Sequence, residues 1–270
     1  MSAMDAPRML RRLGVAAAAG AVIAPLVGPV AGPAAAIDYA TTGKHFAYQR
    51  YHWGPVAWEY TFERRPFPRA AWTRGGVGAM GEHFGMITLD SSSTAGATAT
   101  LTKHPEAYGR WEVRLRSKRF PHQTGGDYAV ETELVPASDP NGHCGGQTID
   151  FGSYVSGSSA TSFALHALPS YVYSATRKKP HRDDYWHTYA VEVTRTHVSW
   201  FLDGRVQVTE RAPSALSGVP YELRLALVPR GSGPMKKTRL MVDTVRYFSL
   251  KHGRQGVTRT APTAGTETYC

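Results

Sequence analysis

Cysteine is almost absent from this sequence. The 270 residues include only Cys144 and the C-terminal Cys270. Two cysteines so far apart cannot build a cysteine-ligated metal cluster, and they exclude a small scaffold held by several disulfides. In an exported protein the two could pair and tie the end of the chain back to the loop around residue 144. The alternative is a free thiol on a frayed tail, because the last residues of a chain are usually mobile.

The motifs that bind metals, cofactors or nucleic acids are also missing. The sequence has no Ser-x-x-Lys and no zinc-ligand spacing, and the glycines of 75–78 lack the lysine and helix that phosphate binding needs. We therefore expect no metal and no cofactor. Lysine is scarce, with 8 residues against 23 arginines, and alanine is plentiful, which is typical of a GC-rich bacterium.

Acidic residues are outnumbered, with 21 against 31 basic ones. The basic residues are scattered along the chain, which is typical of a solvated surface. We therefore expect no nucleic-acid partner. An anionic wall polymer or acidic polysaccharide is the alternative explanation for the charge.

The first 36 residues have the composition of an export signal. Arg8, Arg11 and Arg12 precede an apolar stretch of small residues, and the alanines of 34–36 supply a small-x-small cleavage pattern. Prolines and glycines interrupt the stretch, which argues against a retained membrane span. The Arg11-Arg12 pair fits a twin-arginine signal, although paired arginines are common in signal peptides. We predict a secreted protein whose mature charge falls from +10 to about +8 (10 − 3 + 1).

Beyond residue 36 no apolar stripe with the period of a helix is present. Apolar and polar residues instead alternate in short runs bounded by glycine, proline, aspartate and serine. The strongest pattern is HVSWFLDGRVQVTE (197–210), where two alternating runs flank an Asp-Gly dipeptide typical of a two-residue hairpin turn. Further strands are predicted at 86–89, 97–102, 108–115, 129–135, 148–153, 162–166, 189–193, 222–228 and 238–248. So many short strands predict an all-β protein, with two packed antiparallel sheets or a barrel.

The domain boundaries follow from composition. Residues 37–250 contain no repeat and no linker, so we predict one domain, whereas the polar segment 251–270 is predicted to be a flexible tail. Two long loops are predicted at 136–146 and 171–184. The second loop either grips an anionic substrate or is simply exposed and basic, since it contains Arg177, Lys178, Lys179, His181 and Arg182.

Six pieces of sequence occur in an informative order. They are YGRWEVRLR (108–116), GQTIDF (146–151), FALH (163–166), WHTYAVEV (186–193), VSWFLDG (198–204) and MVDTVRY (241–247). In this order they resemble glycoside hydrolase family 16, a jelly-roll group related to the concanavalin A-like lectins. The resemblance spans roughly residues 80–250 and implies an antiparallel two-sheet β-sandwich with a concave groove. It also implies a polysaccharide or cell-wall glycan as the partner, and we expect a monomer.

The catalytic residues of that family are incomplete here. A retaining glycosidase needs one carboxylate to attack the sugar and a second, protonated carboxyl to release the leaving group. The family places them on one strand as Glu-x-Asp-x-x-Glu or Glu-x-Asp-x-Glu, and strand alternation sends all three carboxyls to one face, with a bulge in the longer form.

In this chain the middle carboxylate matches Asp150 and the nucleophile position falls on Thr148. The acid/base position falls on Ser153 in the bulged form, or on Gly152 in the shorter one. A threonine cannot replace a carboxylate nucleophile and a serine is too weak an acid, so retaining hydrolysis is expected to fall by many orders of magnitude.

Other residues offer alternatives. Glu131 and Glu133 share one face of the preceding strand, and either could oppose Asp150 at the roughly 6.5–9.5 Å of an inverting pair. Otherwise they are solvent-facing glutamates of a half-buried strand. The candidates for sugar binding, each of which also has a purely structural interpretation, are Tyr154, His166, Trp111 and Trp186.

The sequence therefore predicts a secreted, family 16-like pseudoenzyme that binds a glycan without cutting it. An active hydrolase or transglycosylase on a β-glucan- or galactan-type polymer, using Asp150 with Glu131 or Glu133, is the first alternative. A non-catalytic structural or interaction scaffold is the second.

Overall fold

Strands make up nearly all the regular structure of the computed structural model, which describes residues 45–63, 68–120, 123–139, 147–167, 171–178, 184–259 and the backbone of 263–264. The predicted export signal, Cys144 and Cys270 lie outside the described residues. The strands are β1 (Trp58–Tyr60), β2 (Trp72–Gly76), β3 (Ala79–His83), β4 (Met86–Asp90), β5 (Ala97–Glu106), β6 (Gly109–Arg119), β7 (Tyr128–Pro136), β8 (Ile149–Val155), β9 (Ala160–Ala167), β10 (Tyr171–Lys178), β11 (His187–Val193), β12 (Val198–Leu202), β13 (Arg205–Glu210), β14 (Tyr221–Pro229), β15 (Thr238–Phe248) and β16 (Thr263–Ala264).

Helix is limited to short pieces. One α-helical turn, α1, covers Ala47–Tyr51, and 3-10 turns cover Arg69–Ala71 and Pro213–Ala215. Within the described ranges, no helix has the length and apolar character needed to cross a membrane.

The strands form two antiparallel sheets. The first sheet has the order β13-β12-β11-β6-β15-β4-β3, with β1 also paired to β15. The second sheet has the order β16-β10-β9-β8-β7-β14-β5-β2. This is the two-sheet antiparallel sandwich predicted from the sequence, and the prediction is confirmed.

The core lies between the two sheets and is built from alternate residues of each strand. On β6, Trp111, Val113 and Leu115 are buried in this core, as are Ile149 and Phe151 on β8. Because side chains alternate between faces, the residues between them point to the outer faces of the sandwich. A slip of one residue in either strand would bury the polar set instead, so the pattern fixes the register.

The predicted hairpin is confirmed at β12 and β13. Leu202 pairs with Arg205, which leaves Asp203 and Gly204 as the two turn residues. Their φ angles are 47° and 69°, and positive φ at both positions is what this type of hairpin turn requires.

The outer face of the first sheet is closed by the chain that precedes β1. Trp53 is fully buried there against Phe201 and Phe248, with ring centroids 5.5 and 5.6 Å away. Beside them the Glu112 carboxylate accepts a hydrogen bond of 2.8 Å from the backbone N–H of Ala47 at the start of α1.

Two predicted irregular segments have regular structure. Residues 171–178, predicted as part of a loop, form the strand β10. Tyr173 and Ala175 of this strand face the core, and Ser174 between them faces outward. The tail was predicted to be flexible, yet the backbone N–H of Arg254 donates to the Tyr51 carbonyl over 2.8 Å. Farther along, Thr263–Ala264 pairs with β10 as the edge strand of the second sheet. These backbone hydrogen bonds of the described tail residues do not depend on side-chain pattern, so composition could not reveal them.

Candidate functional site

A single row of polar residues crosses the outer face of the second sheet. Each member pairs with the next one on the neighbouring strand, so their side chains lie side by side on one face. We call this set the central row: Thr73, Thr100, Arg224, Glu133, Asp150, Ala164 and Ser174. The row brings Asp150 and Glu133, two residues predicted from the sequence, into directly opposed positions.

A β-bulge in β8 decides which residue accompanies Asp150. Asp150 pairs with Ala164 and Ser153 pairs with Ser162, so three steps along β8 match two steps along β9. The extra residue returns Ser153 to the face of Asp150, which is the bulged form of the family motif. The Gly152 position points inward, where a Cβ atom would clash with the Tyr189 ring. Ser153, and not Gly152, therefore lies on the Asp150 face.

Arg224 connects the two glutamates of β7. Its guanidinium forms a close ion pair with Glu133, and it lies 3.5 Å from a carboxylate oxygen of Glu131. The side chains are deeply buried, with residue exposures of 0% for Glu131 and 3% for Glu133. The alternative of solvent-facing glutamates is therefore wrong. The two residues face the Asp150 side of the sheet and are held by a buried arginine.

The environment of Asp150 favours the protonated form of its carboxyl. Burial raises the pKa of this carboxyl well above its usual value, and the neighbouring charge of Glu133 raises it further. The hydrogen bond of 3.0 Å that Gly152 donates to the carboxyl opposes the shift without reversing it. A second bond, from the Trp200 indole N–H to the Asp150 carbonyl oxygen over 2.9 Å, fixes the β8 backbone to the core.

The position of Glu133 determines what chemistry the pair could perform. Directly opposed residues on antiparallel strands have Cβ atoms about 4.5–5.5 Å apart, which is short for the wide separation of an inverting pair. A protonated acid beside an ionised one is the arrangement that acid–base catalysis uses. The ion pair with Arg224 occupies the Glu133 carboxylate, however, and a nucleophile or base at this position would first have to break that pair.

The four candidate sugar-binding residues separate into different parts of the sandwich. Trp111 and Tyr154 are in the core, where the Tyr154 hydroxyl donates to the Ser117 hydroxyl over 3.0 Å, so neither can stack on a sugar. Trp186 lies between the guanidinium groups of Arg114 and Arg116, 4.6 Å from each, on the outer face of the first sheet. Their proposed stacking role is not supported, because core packing and cation–π contacts occupy these rings.

His166 is the one candidate of the four that lies on the Asp150 face. Its backbone N–H donates to the Thr148 carbonyl over 2.9 Å, and it pairs with Val172 on β10. Thr148, two residues before Asp150, lies on the same face by alternation and is buried.

Sequence reasoning missed Arg224 and the hydroxyl residues beside Ser153. The alternation in YELRLALV places Glu222 and Arg224 on the face opposite Leu223 and Leu225, so the signal was present in β14. Ser162 and Thr176 continue the row of Ser153 across β9 and β10. These hydroxyl residues lie side by side because β8, β9 and β10 are neighbours in the sheet. Local sequence does not specify which strands pair.

The central row is closed to solvent at its middle. Asp150 is 8% exposed, whereas Val172 at the β10 edge of the same face is 55% exposed. Within the described part of the chain, no three histidine, cysteine, aspartate or glutamate side chains are arranged to hold a metal ion.

Solved structures of β-glucanases have a fold similar to that of this chain. The laminarinase catalytic domain of Thermotoga maritima superposes with a TM-score of 0.60 at 13% identity, covering 72% of this chain and 98% of that one. The Rhodothermus marinus laminarinase gives a TM-score of 0.57 at 17% identity, covering 72% of this chain and 96% of that one.

A third solved structure carries the family name. It is a non-specific endo-β-1,3(4)-glucanase of family GH16, co-crystallised with a β-glucan oligosaccharide, and it gives a TM-score of 0.60 at 13% identity, covering 72% of this chain and 94% of that one. The fold of this protein is thus the jelly roll of the family 16 glucanases. By sequence, no protein-family model and no curated protein matches the chain.

Proposed function

We propose that this chain is a secreted, catalytically degenerate relative of the family 16 glucanases that binds a polysaccharide or cell-wall glycan without cleaving it. The observation that carries the proposal is the central row. In the family pattern, Asp150 of this row matches the middle carboxyl, whereas Thr148 and Ser153, which share its face, fall at the two glutamate positions. The export signal predicted in residues 1–36 supports secretion, since glycans of this kind lie outside the cell.

The charge state of the row supports binding without cleavage. Hydrolysis with retention needs an ionised nucleophile and a protonated acid on opposite sides of the sugar bond. Here burial favours the protonated form of Asp150, and Arg224 holds Glu133 in an ion pair. General acid–base assistance is typically worth about 10²–10⁴-fold, and covalent catalysis is lost in addition.

On the sheet face that carries Asp150, the solvent-accessible part lies at the margin formed by β9 and β10. Val172 is the exposed residue of β10 there, and His166, its partner on β9, is half-buried. An apolar surface beside an imidazole and several hydroxyls suits a sugar ring, which has one apolar face and a polar rim. We therefore propose that the glycan contacts this margin and not the closed middle of the row.

A substitution at the margin tests the proposed function. The Val172→Trp variant fills the space beside His166 and should weaken glycan binding, whereas Val77→Trp, at a valine that is 80% exposed in the turn between β2 and β3, should not. Binding is measured by isothermal titration against laminarin, lichenan, galactan and an anionic wall polymer. If the unmodified chain binds none of the four below about 1 mM, the glycan-binding proposal fails.

One observation favours a second candidate, a residual hydrolase. Glu133 lies directly opposite Asp150, and the two differ in ionisation as an acid–base pair would. Release of reducing ends from the same polymers, lost in both Asp150→Asn and Glu133→Gln but retained in Val77→Trp, would establish that activity. Intact polymer after prolonged incubation with the folded, glycan-binding chain would exclude it.

A further inference from the structure

A short segment before β1, residues 45–53, lies on the outer face of the first sheet, and we call it the strap. Trp53 of the strap is fully buried against Phe201 and Phe248 of that face. These rings belong to a small apolar cluster that is separate from the core between the two sheets. Residues 54–57, which join the strap to β1, are exposed. The strap can therefore lift from the sheet while the main core stays intact.

The Glu112 carboxyl holds the strap from the sheet side. One of its oxygens accepts hydrogen bonds from the backbone N–H groups of Ala47 and Tyr48, over 2.8 and 3.2 Å. The other oxygen is buried and has no hydrogen-bond partner among the described residues, and the same is true of the Trp53 indole N–H. A buried polar group without a partner destabilises the contact that buries it. The strap thus closes over groups that would gain hydrogen bonds to water if it opened.

The charged groups around Glu112 are already engaged. Three arginines flank it on the sheet and each has its own carboxylate partner, in the pairs Arg110–Glu192, Arg114–Asp243 and Arg246–Glu59. Arg246 lies directly opposite Glu112 on β15, whereas the opposite residue on β11 is the uncharged Ala190. The titratable and cationic side chains of the strap are the exposed His45, Arg50 and His52 and the half-buried Tyr48 and Tyr51. The Arg246 charge and the N–H groups of the strap favour the ionised carboxyl, and burial outweighs them by raising the Glu112 pKa.

Closure of the strap and protonation of Glu112 are therefore coupled. Burial raises the Glu112 pKa from 4.5 to about 8, whereas in the open strap the carboxyl is solvated and its pKa returns towards 4.5. Because the closed form binds the proton more tightly, the contribution of Glu112 to closure is fully present below pH 4.5 and is lost as the pH rises to about 8. Over this range the equilibrium constant for opening should increase about tenfold per pH unit.

We propose that residues 45–53 form a pH-sensitive strap, which the Glu112 carboxyl latches to the first sheet and which is released as the pH rises. Release exposes Phe201 and Phe248, the two rings that Trp53 covers in the closed form. The strap lies on the first sheet, whereas the central row lies on the second. Strap release therefore does not depend on the proposed glycan binding.

Amide hydrogen exchange of the full chain, read residue by residue by NMR, tests the strap. Exchange is expressed as a protection factor, which removes its intrinsic dependence on pH. Between about pH 5 and 8 the protection factors of the Ala47 and Tyr48 amides should fall about tenfold per pH unit. At each pH they should also be at least about tenfold lower than that of Val113 in the central strand β6, because the strap opens before the domain unfolds.

Two variants separate the latch from the rest of the strap. Glu112→Gln can still accept the N–H bond of Ala47 but does not titrate, so the protection factors of the strap should no longer change with pH. Thr188→Val removes the hydrogen bond of 2.7 Å that the Thr188 hydroxyl donates to the His45 carbonyl oxygen. It should lower the protection of the strap by about fivefold to tenfold at every pH and leave the slope with pH unchanged.

Three results would overturn the proposal. A protection factor of Ala47 that does not change with pH in the unmodified chain would show that Glu112 is not a latch, and so would an equal slope in Glu112→Gln. Equal protection of Ala47 and Val113 at every pH would show that the segment opens only when the whole domain unfolds. The slope is measured in the unmodified chain and in Thr188→Val, so it decides the matter even if Glu112→Gln does not fold.

Discussion

The protonation of Asp150 can be tested without a ligand. Asp150→Asn keeps the shape of the side chain, and its amide oxygen can still accept the 3.0 Å hydrogen bond from Gly152. Burial and the Glu133 charge raise the pKa of the native carboxyl well above 3.8, so its protonated form persists to a higher pH than in a solvent-exposed aspartate. The substitution should therefore cost little at low pH and become favourable as the pH rises.

The sign and size of this effect follow from proton linkage. A carboxyl whose folded-state pKa is raised contributes stability that is fully present below its unfolded pKa and is lost as the pH rises towards its folded pKa. Asparagine does not titrate, so it loses nothing. The free energy of unfolding of Asp150→Asn relative to the unmodified chain should rise by about 1.4 kcal/mol per pH unit above pH 4. The increase should stop where Asp150 ionises, and the plateau reports that pKa.

Urea denaturation at several pH values between 4 and 8 measures the difference. Asp243→Asn is the matched control, since the Asp243 carboxylate is ion-paired with Arg114 over 2.9 Å at a partly exposed site. That substitution should destabilise the protein at pH 7 by about 1 kcal/mol or less, the opposite sign. If the stability difference between Asp150→Asn and the unmodified chain stays flat or falls as the pH rises, the argument that the Asp150 pKa is raised is refuted. The charge-state support for a degenerate site then fails as well.

Three further substitutions test the packing and charges described above. Burial raises the Glu112 pKa from 4.5 to about 8. Glu112→Gln should therefore become more stable relative to the unmodified chain as the pH rises from 4.5 to 8, by roughly 5 kcal/mol at most. A stability difference that does not change with pH would contradict this. Arg224→Met should lower the free energy of unfolding, measured by urea denaturation at pH 7, by about 3–5 kcal/mol. The control Arg239→Met breaks an ion pair at a partly exposed site and should lower it by about 1 kcal/mol or less. Equal losses of stability in the two variants would argue against a buried pair. Gly152→Ala should lower stability by about 1–3 kcal/mol, while Gly231→Ala, with no atom within 4 Å of the place its methyl group would take, should be near neutral in thermal unfolding.

The alternation of apolar and polar residues along each strand accounts for the parts of the fold that could be predicted from the sequence. The runs that became β6, β7, β11 and β14 each bury one set of alternate residues in the core and direct the other set to an outer face, and this property is visible in the residues themselves. The Asp203-Gly204 hairpin follows in the same way from residues adjacent in the chain. The β10 strand escaped prediction because its basic end resembled a loop.

The site was only partly predictable because its pairs join distant parts of the chain. Alternation could place Asp150 with Thr148, and the family pattern could suggest Ser153. Neither alternation nor the family pattern could show that Glu133 lies opposite Asp150, because strand partners depend on the global topology. The role of Arg224 depends on the same topology, since 91 residues separate it from Glu133.

The burial of Glu131 and Glu133 changes how their presence should be interpreted. From sequence, two glutamates near a family active site invite the hypothesis that they replace the missing catalytic pair. A carboxylate that must be desolvated and held by an arginine is stabilised in its ground state, and reaction would require breaking that ion pair in a closed environment. The same contacts make the residues important to folding, because removing one partner leaves a buried charge. Loss of reducing-sugar release in a Glu133 variant therefore indicates catalysis only if the variant remains folded and still binds glycan.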